Sequence, residues 1–198
     1  MVFARWRQTN FEPRLTGQRV YIRPPARTDW KKWSRLREKS RAFLEPWEPS
    51  WPADDLSPGG FSNRLGLIKA ETARGEGYTF LIFRNADDAL LGGLSLGNIR
   101  HGVAQTATLG YWMGEAYAGQ GYMREATSLA LDFAFGSLRL HRIEAGCLPR
   151  NARSIGLLTR LGFTHEGLAR AYLEINGVWE DHLLFAILAT DPRANPAA

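Results

Sequence analysis

The chain's most suggestive chemistry lies where an apolar run meets glycines. The segment Tyr111-Trp112-Met113-Gly114-Glu115-Ala116-Tyr117-Ala118-Gly119-Gln120-Gly121-Tyr122-Met123-Arg124 passes from strand-like residues, through a Gly-x-Gly turn, into a helical pattern. Glycines at 119 and 121 let main-chain amides approach a ligand with no Cβ in the way. The helix start that follows leaves N–H groups without intrahelical partners at the positive end of the helix dipole, which suits a pyrophosphate. Two common phosphate loops do not fit. A dinucleotide fingerprint needs glycine where Arg124 stands, and a P-loop needs Gly-Lys-Ser/Thr where the chain has Gly121-Tyr122-Met123. About thirty residues on, Asn151-Ala152-Arg153-Ser154 opens another helical stretch that ends at Leu161-Gly162-Phe163. Gly93-Leu94-Ser95-Leu96-Gly97 matches the nucleophile elbow of hydrolases, but an elbow must run into a helix. Here Asn98-Ile99-Arg100-His101-Gly102 follows, a strand end and a turn, so Ser95 is placed on a plain strand.

The elements that must position these residues can be read in order. Residues 20–22 form a first strand, and Thr28 or Asp29 caps a helix through Leu44, which Pro46 ends. The proline-rich stretch 45–52 is expected to be an extended loop, since each proline disfavours helix in the residue before it. A second helix covers 61–74 and closes at Gly75. Strands 78–84, 89–99 and 106–114 follow with short connections, so they form an antiparallel meander. Then come a helix over 121–135, a strand over 140–148 and a helix over 152–161. The chain ends in a hairpin of 164–175 and 178–188 around Asn176-Gly177. The order β α α β β β α β α β β is a mixed α/β (α+β) sheet.

Composition narrows the classes. At 198 residues, with 44% hydrophobic and 23% charged residues, the chain suits one globular domain with a substantial core. Its first ten residues lack the apolar stretch of a signal peptide, and its longest apolar run, 183–189, is too short to cross a membrane, which needs roughly 20 residues. One cysteine, Cys147, excludes an internal disulfide, and four scattered histidines give no zinc spacing, so no metal is expected. A reducing cytoplasm fits that cysteine usage. The net charge of +5 is uneven: residues 1–41 hold twelve Lys/Arg against three acids. That basic front is either a contact for RNA or the ribosome or a solvated helix face.

Taken together, the Gly-x-Gly turn, the Asn-x-x-Ser and the Leu-Gly-Phe resemble the GNAT superfamily of N-acetyltransferases. Phe43-Leu44-Glu45-Pro46-Trp47-Glu48-Pro49, Gly110-Tyr111, His141-Arg142-Ile143, Glu166-Gly167 and Trp179-Glu180-Asp181-His182 resemble its ribosomal-protein N-terminal branch, the RimJ/RimL type. The resemblance covers about residues 14–190 of a single domain. It implies a mostly antiparallel sheet of about seven strands with flanking helices, splayed between the strand from Thr106 to Gly114 and that from Leu140 to Leu148. It implies acetyl-CoA as cosubstrate, held by Tyr111, Trp112, Met113, Gly119, Gln120, Gly121, Tyr122, Met123, Arg124, Asn151 and Ser154. The acceptor would be a primary amine, foremost the α-amino group of a ribosomal protein starting with Ala or Ser. A small-molecule amine is the alternative, and a non-catalytic ribosome- or RNA-binding module the third reading. The oligomeric state is left open between monomer and homodimer.

Within that frame Ser154 is expected near the departing CoA thiolate, or as a helix cap. Asn151 is expected to bond the strand or the pantetheine arm. Glu144, which shares a strand face with Gly146, and Glu115 are candidate bases, each with a surface ion pair as the plainer role. Tyr172 is a candidate acid, and Cys147 a packed thiol rather than a nucleophile. The chain departs from the pattern at two places. Ala116 stands where Gln or Arg is frequent, and Leu158 stands where many members carry a tyrosine acid.

Overall fold

The short connections between residues 78 and 114 do produce a meander. In the computed structural model, which describes residues 14–193, β3 (Tyr78–Arg84), β4 (Leu90–Arg100) and β5 (Thr106–Met113) pair antiparallel in sequence order. On the other side of β3 lie β2 (Val20–Arg23) and the two-residue β1 (Leu15–Thr16). Beyond β5 come β6 (Arg142–Cys147), β8 (Val178–Leu188) and β7 (Thr164–Ile175), giving the order β1-β2-β3-β4-β5-β6-β8-β7. Among the described residues the sheet thus has eight strands, against an expected seven or so. The extra one, β1, is too short to show any alternation in sequence. The Asn176-Gly177 turn has φ of 46° and 82°, the two positive values a type I′ hairpin requires.

One junction differs from all the others. β5 and β6 run parallel and pair only at Thr106–Thr108 against Arg142–Glu144. Past Thr108 and Glu144 the pairing stops, so the edge of β5 from Leu109 to Met113 has no strand partner on that side.

Strand alternation sorts the core into two layers. Phe80, Ile82, Leu94, Leu96, Leu109 and Ile143 pack under α4 (Tyr122–Asp132) and α5 (Ala152–Arg160). Leu81 and Phe83 pack with Trp33 of α1 (Trp30–Lys39) and with Phe61 and Leu65 of α3 (Pro58–Arg74). Fully burying each such side chain is worth roughly 1.5–3 kcal/mol. Ser57 caps α3 by accepting from Gly60 N at 2.9 Å, and Pro58 takes the first position, where its missing N–H costs nothing.

Two expectations about the first helices need correction. The single helix through Leu44 is broken at Ser40, and α2 (Arg41–Leu44) follows as a separate turn. Ser40 Oγ accepts from Glu115 N at 3.0 Å, which ties the break to the strand-to-helix turn after β5. The stretch from 45 is not extended throughout. Glu45–Trp47 form a 3-10 turn, with Glu45 itself helical before Pro46, and extended backbone resumes at Glu48. A single turn accepts proline near its start. At the other end, α4 continues through a π-helical turn, Phe133–Ser137.

Much of the basic front is engaged within the fold. Arg23 pairs with Asp29, Arg37 with Glu48, Arg41 with Glu38 and Glu45, and Arg19 with Glu125. Arg5 and Arg7 lie outside the described residues. Among the described residues no helix is long and apolar enough to cross a membrane. None of their His, Cys, Asp or Glu form a group of three or more that could hold a metal.

Candidate active site

The turn between β5 and α4 takes the shape its glycines allow. Gly119 has φ 75° and Gly121 φ 81°, left-handed values that favour glycine, and Gly121 is the residue that starts α4. A Cβ on Gly119 would meet no atom within 4 Å, so that side of the turn is open. The N–H groups of Tyr122 and Met123, in the first turn of α4, have no helical carbonyl to bond. The Met123 side chain is core, so only its main chain faces the turn. Arg124 is half-buried, its Nε shielded from solvent. Gln120 is exposed, and its amide donates back to Ala116 O at 2.8 Å.

Sequence reading missed the residue that props this turn. Arg19 Nη1 donates to Gln120 O at 3.1 Å, and its Nε pairs with Glu125 Oε2 at 3.1 Å. Glu125 Oε1 in turn accepts from Arg19 N at 2.7 Å. Arg19 precedes β2 and lies 106 residues from Glu125, so only the sheet order joins them. Its guanidinium, half exposed and paired with Glu125, lies beside the start of α4.

At the splay, three residues from three elements meet. Tyr111 of β5 places its hydroxyl 2.5 Å from Ser154 Oγ, in the first turn of α5. Cys147, at the end of β6, is buried and feels the same Ser154 hydroxyl. Burial holds the Tyr111 phenol far above its ordinary range, and the Ser154 hydrogen bond offsets only part of that. Burial likewise pushes the Cys147 thiol up, with Ser154 acting against it. Both groups are therefore neutral at neutral pH, and Cys147 is a packed thiol. Asn151, not Ser154, caps α5: its Oδ1 accepts from Ser154 N at 3.1 Å. The Ser154 side chain is thereby left available for other work, and the Asn151 oxygen is spent on the cap.

The remaining candidates sit elsewhere. Glu144 lies at the last paired step of β5 and β6, opposite Thr108. Its Oε1 accepts from Arg142 Nε at 2.9 Å and its Oε2 from Arg100 Nη2 at 3.2 Å. Two guanidiniums thus converge on this carboxylate, which matches the ion pair expected as its plainer role. Glu115 is exposed beside the Ser40 tie. Tyr172, about half exposed, sets its ring edge-on to His182 at 5.8 Å, and both rings lie 3.7–3.8 Å from where a Cβ on Gly146 would be. His182 is 3% exposed, with Nδ1 3.0 Å from Glu180 O. Since a carbonyl only accepts, Nδ1 is the donor of this hydrogen bond. Ser95 pairs with Gly110 and Thr79 inside β4, so no elbow exists. Leu158 is fully buried in the core.

On the α1/α3 face a cavity of about 560 Å³ opens over β3, β4 and β5, its floor including Ser95, Gly110 and Tyr111. Its wall is a charged network that the sequence did not reveal. Arg37, 7% exposed, gives two hydrogen bonds to Glu48, at 2.7 and 3.3 Å, and its guanidinium lies 4.1, 5.1 and 5.5 Å from the rings of Trp51, Trp112 and Trp33. Trp51 Nε1 also donates to Glu48, at 2.7 Å. The segment 43–51 thus forms a roof. Phe43 and Trp47 lie under Arg153 and Arg150, and Asn176 N at the hairpin tip donates to Glu48 O at 3.1 Å. Tyr111 belongs to both halves: it borders this cavity and it bonds Ser154 at the start of α5.

Comparison with known proteins matches this geometry. Residues 19–164 fit the acetyltransferase (GNAT) domain family. The chain is 35% identical over 178 residues to the ribosomal protein uS5-alanine N-acetyltransferase of Escherichia coli (strain K12), covering 90% of this chain and 92% of that one. Mycobacterium smegmatis RimJ in complex with CoA-disulfide is 37% identical, with a TM-score of 0.82 over 86% of this chain and 82% of that one. Ribosomal-protein-S5-alanine acetyltransferase from Vibrio fischeri is 30% identical, with a TM-score of 0.84 over 90% of this chain and 98% of that one.

Proposed function

The chain belongs to the GNAT acetyltransferase family, and on that premise we propose that it moves the acetyl group of acetyl-CoA onto the N-terminal α-amino group of a ribosomal protein that starts with Ala or Ser. Acetyl-CoA is the cosubstrate of such an enzyme, and no metal takes part. The observation that carries the reading is the position of Tyr111, between an acceptor-sized cavity on one face and the helix start bearing Ser154 on the other. The diphosphate lies against the amides of Gly119 to Met123, and the pantetheine arm follows the open edge of β5 from Leu109 to Met113. The thioester then reaches the splay, where an amide of that edge takes up charge growing on the carbonyl oxygen. The acceptor amine enters through the roofed cavity.

Direct attack needs no covalent enzyme intermediate. The amine lone pair forms the C–N bond, the C–S bond breaks with its electron pair going to sulfur, and the nitrogen releases its proton to solvent water, from which the thiolate in turn is protonated. Alignment of the two reactants alone supplies roughly 7–11 kcal/mol of the barrier. An α-amino group has a pKa of about 8, so a useful fraction is already neutral near pH 7, in contrast to lysine at about 10.4. Support for a ribosomal acceptor comes from the names of the relatives and from exposed Lys31, Arg35 and Lys39 on α1, which are suited to an RNA-rich partner. Purified protein is to be given acetyl-CoA with peptides starting Ala or Ser, and separately with a panel of small amines. Acetylation of the peptide α-amine and little on the small amines is expected; the reverse would overturn the acceptor assignment.

A further inference from the structure

We infer that Tyr111 is a positioning residue for the leaving group: its hydroxyl donates to Ser154 Oγ and so leaves the Ser154 proton to point at the sulfur of the departing CoA. This rests on the acetyl-CoA placement of the preceding section. The two oxygens are 2.5 Å apart and share one proton between them. A serine hydroxyl has one proton and two lone pairs. If Ser154 donated to Tyr111, it would have nothing to offer a thiolate. If Tyr111 donates, Ser154 can donate onward, and of the two sulfurs within its reach a CoA thiolate is a far stronger acceptor than the neutral thiol of Cys147.

Three features select the second arrangement once sulfur carries charge. Asn151 has taken over the capping of α5, so the Ser154 hydroxyl owes nothing to the helix. Burial keeps Tyr111 protonated, so it remains a donor throughout the neutral range. Ser154 also stands in the first turn of a nine-residue helix, where the dipole favours an anion. Leu158 is sealed in the core, so α5 offers no phenol there, and the phenol comes from the strand on the far side of the splay. Neither residue is consumed. As the C–S bond breaks, its electron pair goes to sulfur, which accepts the Ser154 hydrogen bond and later takes a proton from solvent. Tyr111 and Ser154 end as they began.

The test reads the thiol of bound CoA directly. Its ionisation is followed as the ultraviolet difference between the complexes with CoA and with desulfo-CoA, which cancels any contribution from Cys147. In the unaltered protein the bound thiol is expected to ionise at lower pH than that of free CoA. Tyr111→Phe, which keeps the ring, is expected to raise that pKa by about one unit, Ser154→Ala by at least as much, and the double variant no further. The same Tyr111→Phe change is expected to lower kcat about tenfold with KM for acetyl-CoA unchanged. Fluorotyrosine at 111, a stronger donor, is expected to lower the thiol pKa, and this arm stands even if Tyr111→Phe does not fold. An unmoved thiol pKa in these variants would overturn the inference while leaving the acetyl-CoA site intact. Failure of the unaltered protein to bind CoA would overturn both.

Discussion

At the scale of single residues, the proposed site sets two hydroxyls, of Tyr111 and Ser154, where negative charge would appear on sulfur. Ser154 is the donor proposed for the departing sulfur, and removing one transition-state donor typically costs on the order of 10²-fold in kcat. Ser154→Ala is therefore expected to lower kcat by about that factor with little change in KM for acetyl-CoA, as steady-state kinetics would show. An equal rise in KM would instead mark it as a binding residue. Arg37 and Glu48 pose a different question, because their pair is largely buried, with side-chain exposures of 8% and 20%. Breaking a buried pair leaves an uncompensated charge and costs about 3–5 kcal/mol. Glu48→Ala is expected to cost less than that, about 1–3 kcal/mol in urea denaturation, because Asp55 Oδ2 stays 4.0 Å from Arg37 Nε and still opposes its charge. A loss below about 1 kcal/mol would show that the roof is held by the Asn176 tie and the aromatic contacts instead.

At the scale of elements, function depends on where strands stop pairing. The meander, the Asn176-Gly177 hairpin and the Gly-x-Gly helix start were all legible in the sequence, because each is local and each rests on turn chemistry. β1 was not, since two residues carry no period. Nor was the break at Ser40, whose hydroxyl meets Glu115 N from 75 residues away. The Arg19–Glu125 prop and the Arg37–Glu48 wall were hidden for the same reason: each is a pairing set by sheet order or by the path of a loop. For Glu144 the ion pair was one of the two expected roles, but alternation could not reveal that Arg100 and Arg142 are the residues that converge on it. Strand β4 supplies a test of how the cavity wall is built. A Cβ on Gly93 would sit 2.6 Å from the indole nitrogen of Trp112, so the ring rests where a side chain would be. Gly93→Ala is expected to push Trp112 out of place at a cost of about 1–3 kcal/mol, seen as a lower melting temperature and an altered tryptophan fluorescence. An unchanged melting temperature and spectrum would mean the strand shifts to absorb the methyl group.

At the scale of the whole molecule, the fold joins two faces through one gap in a continuous sheet, and its buried neutral groups set how it responds to pH. The phenols of Tyr111 and Tyr78 and the thiol of Cys147 are all raised by burial. Their contribution to stability is fully present below the unfolded values, about 8.5 for the thiol and about 10 for the phenols, and is lost as pH rises beyond them. Melting temperature is thus expected to fall above about pH 9, less steeply in Tyr111→Phe; an identical alkaline slope in that variant would remove Tyr111 from the cause. The claim on which all else depends is that amides at the start of α4 hold the diphosphate of CoA. Isothermal titration calorimetry of the folded protein with CoA tests it most directly. Saturable one-site binding is expected, weakened about tenfold or more when Gly121→Ala forces a side chain into the left-handed turn. No binding heat at any temperature tried, or an affinity indifferent to Gly121→Ala, would contradict it.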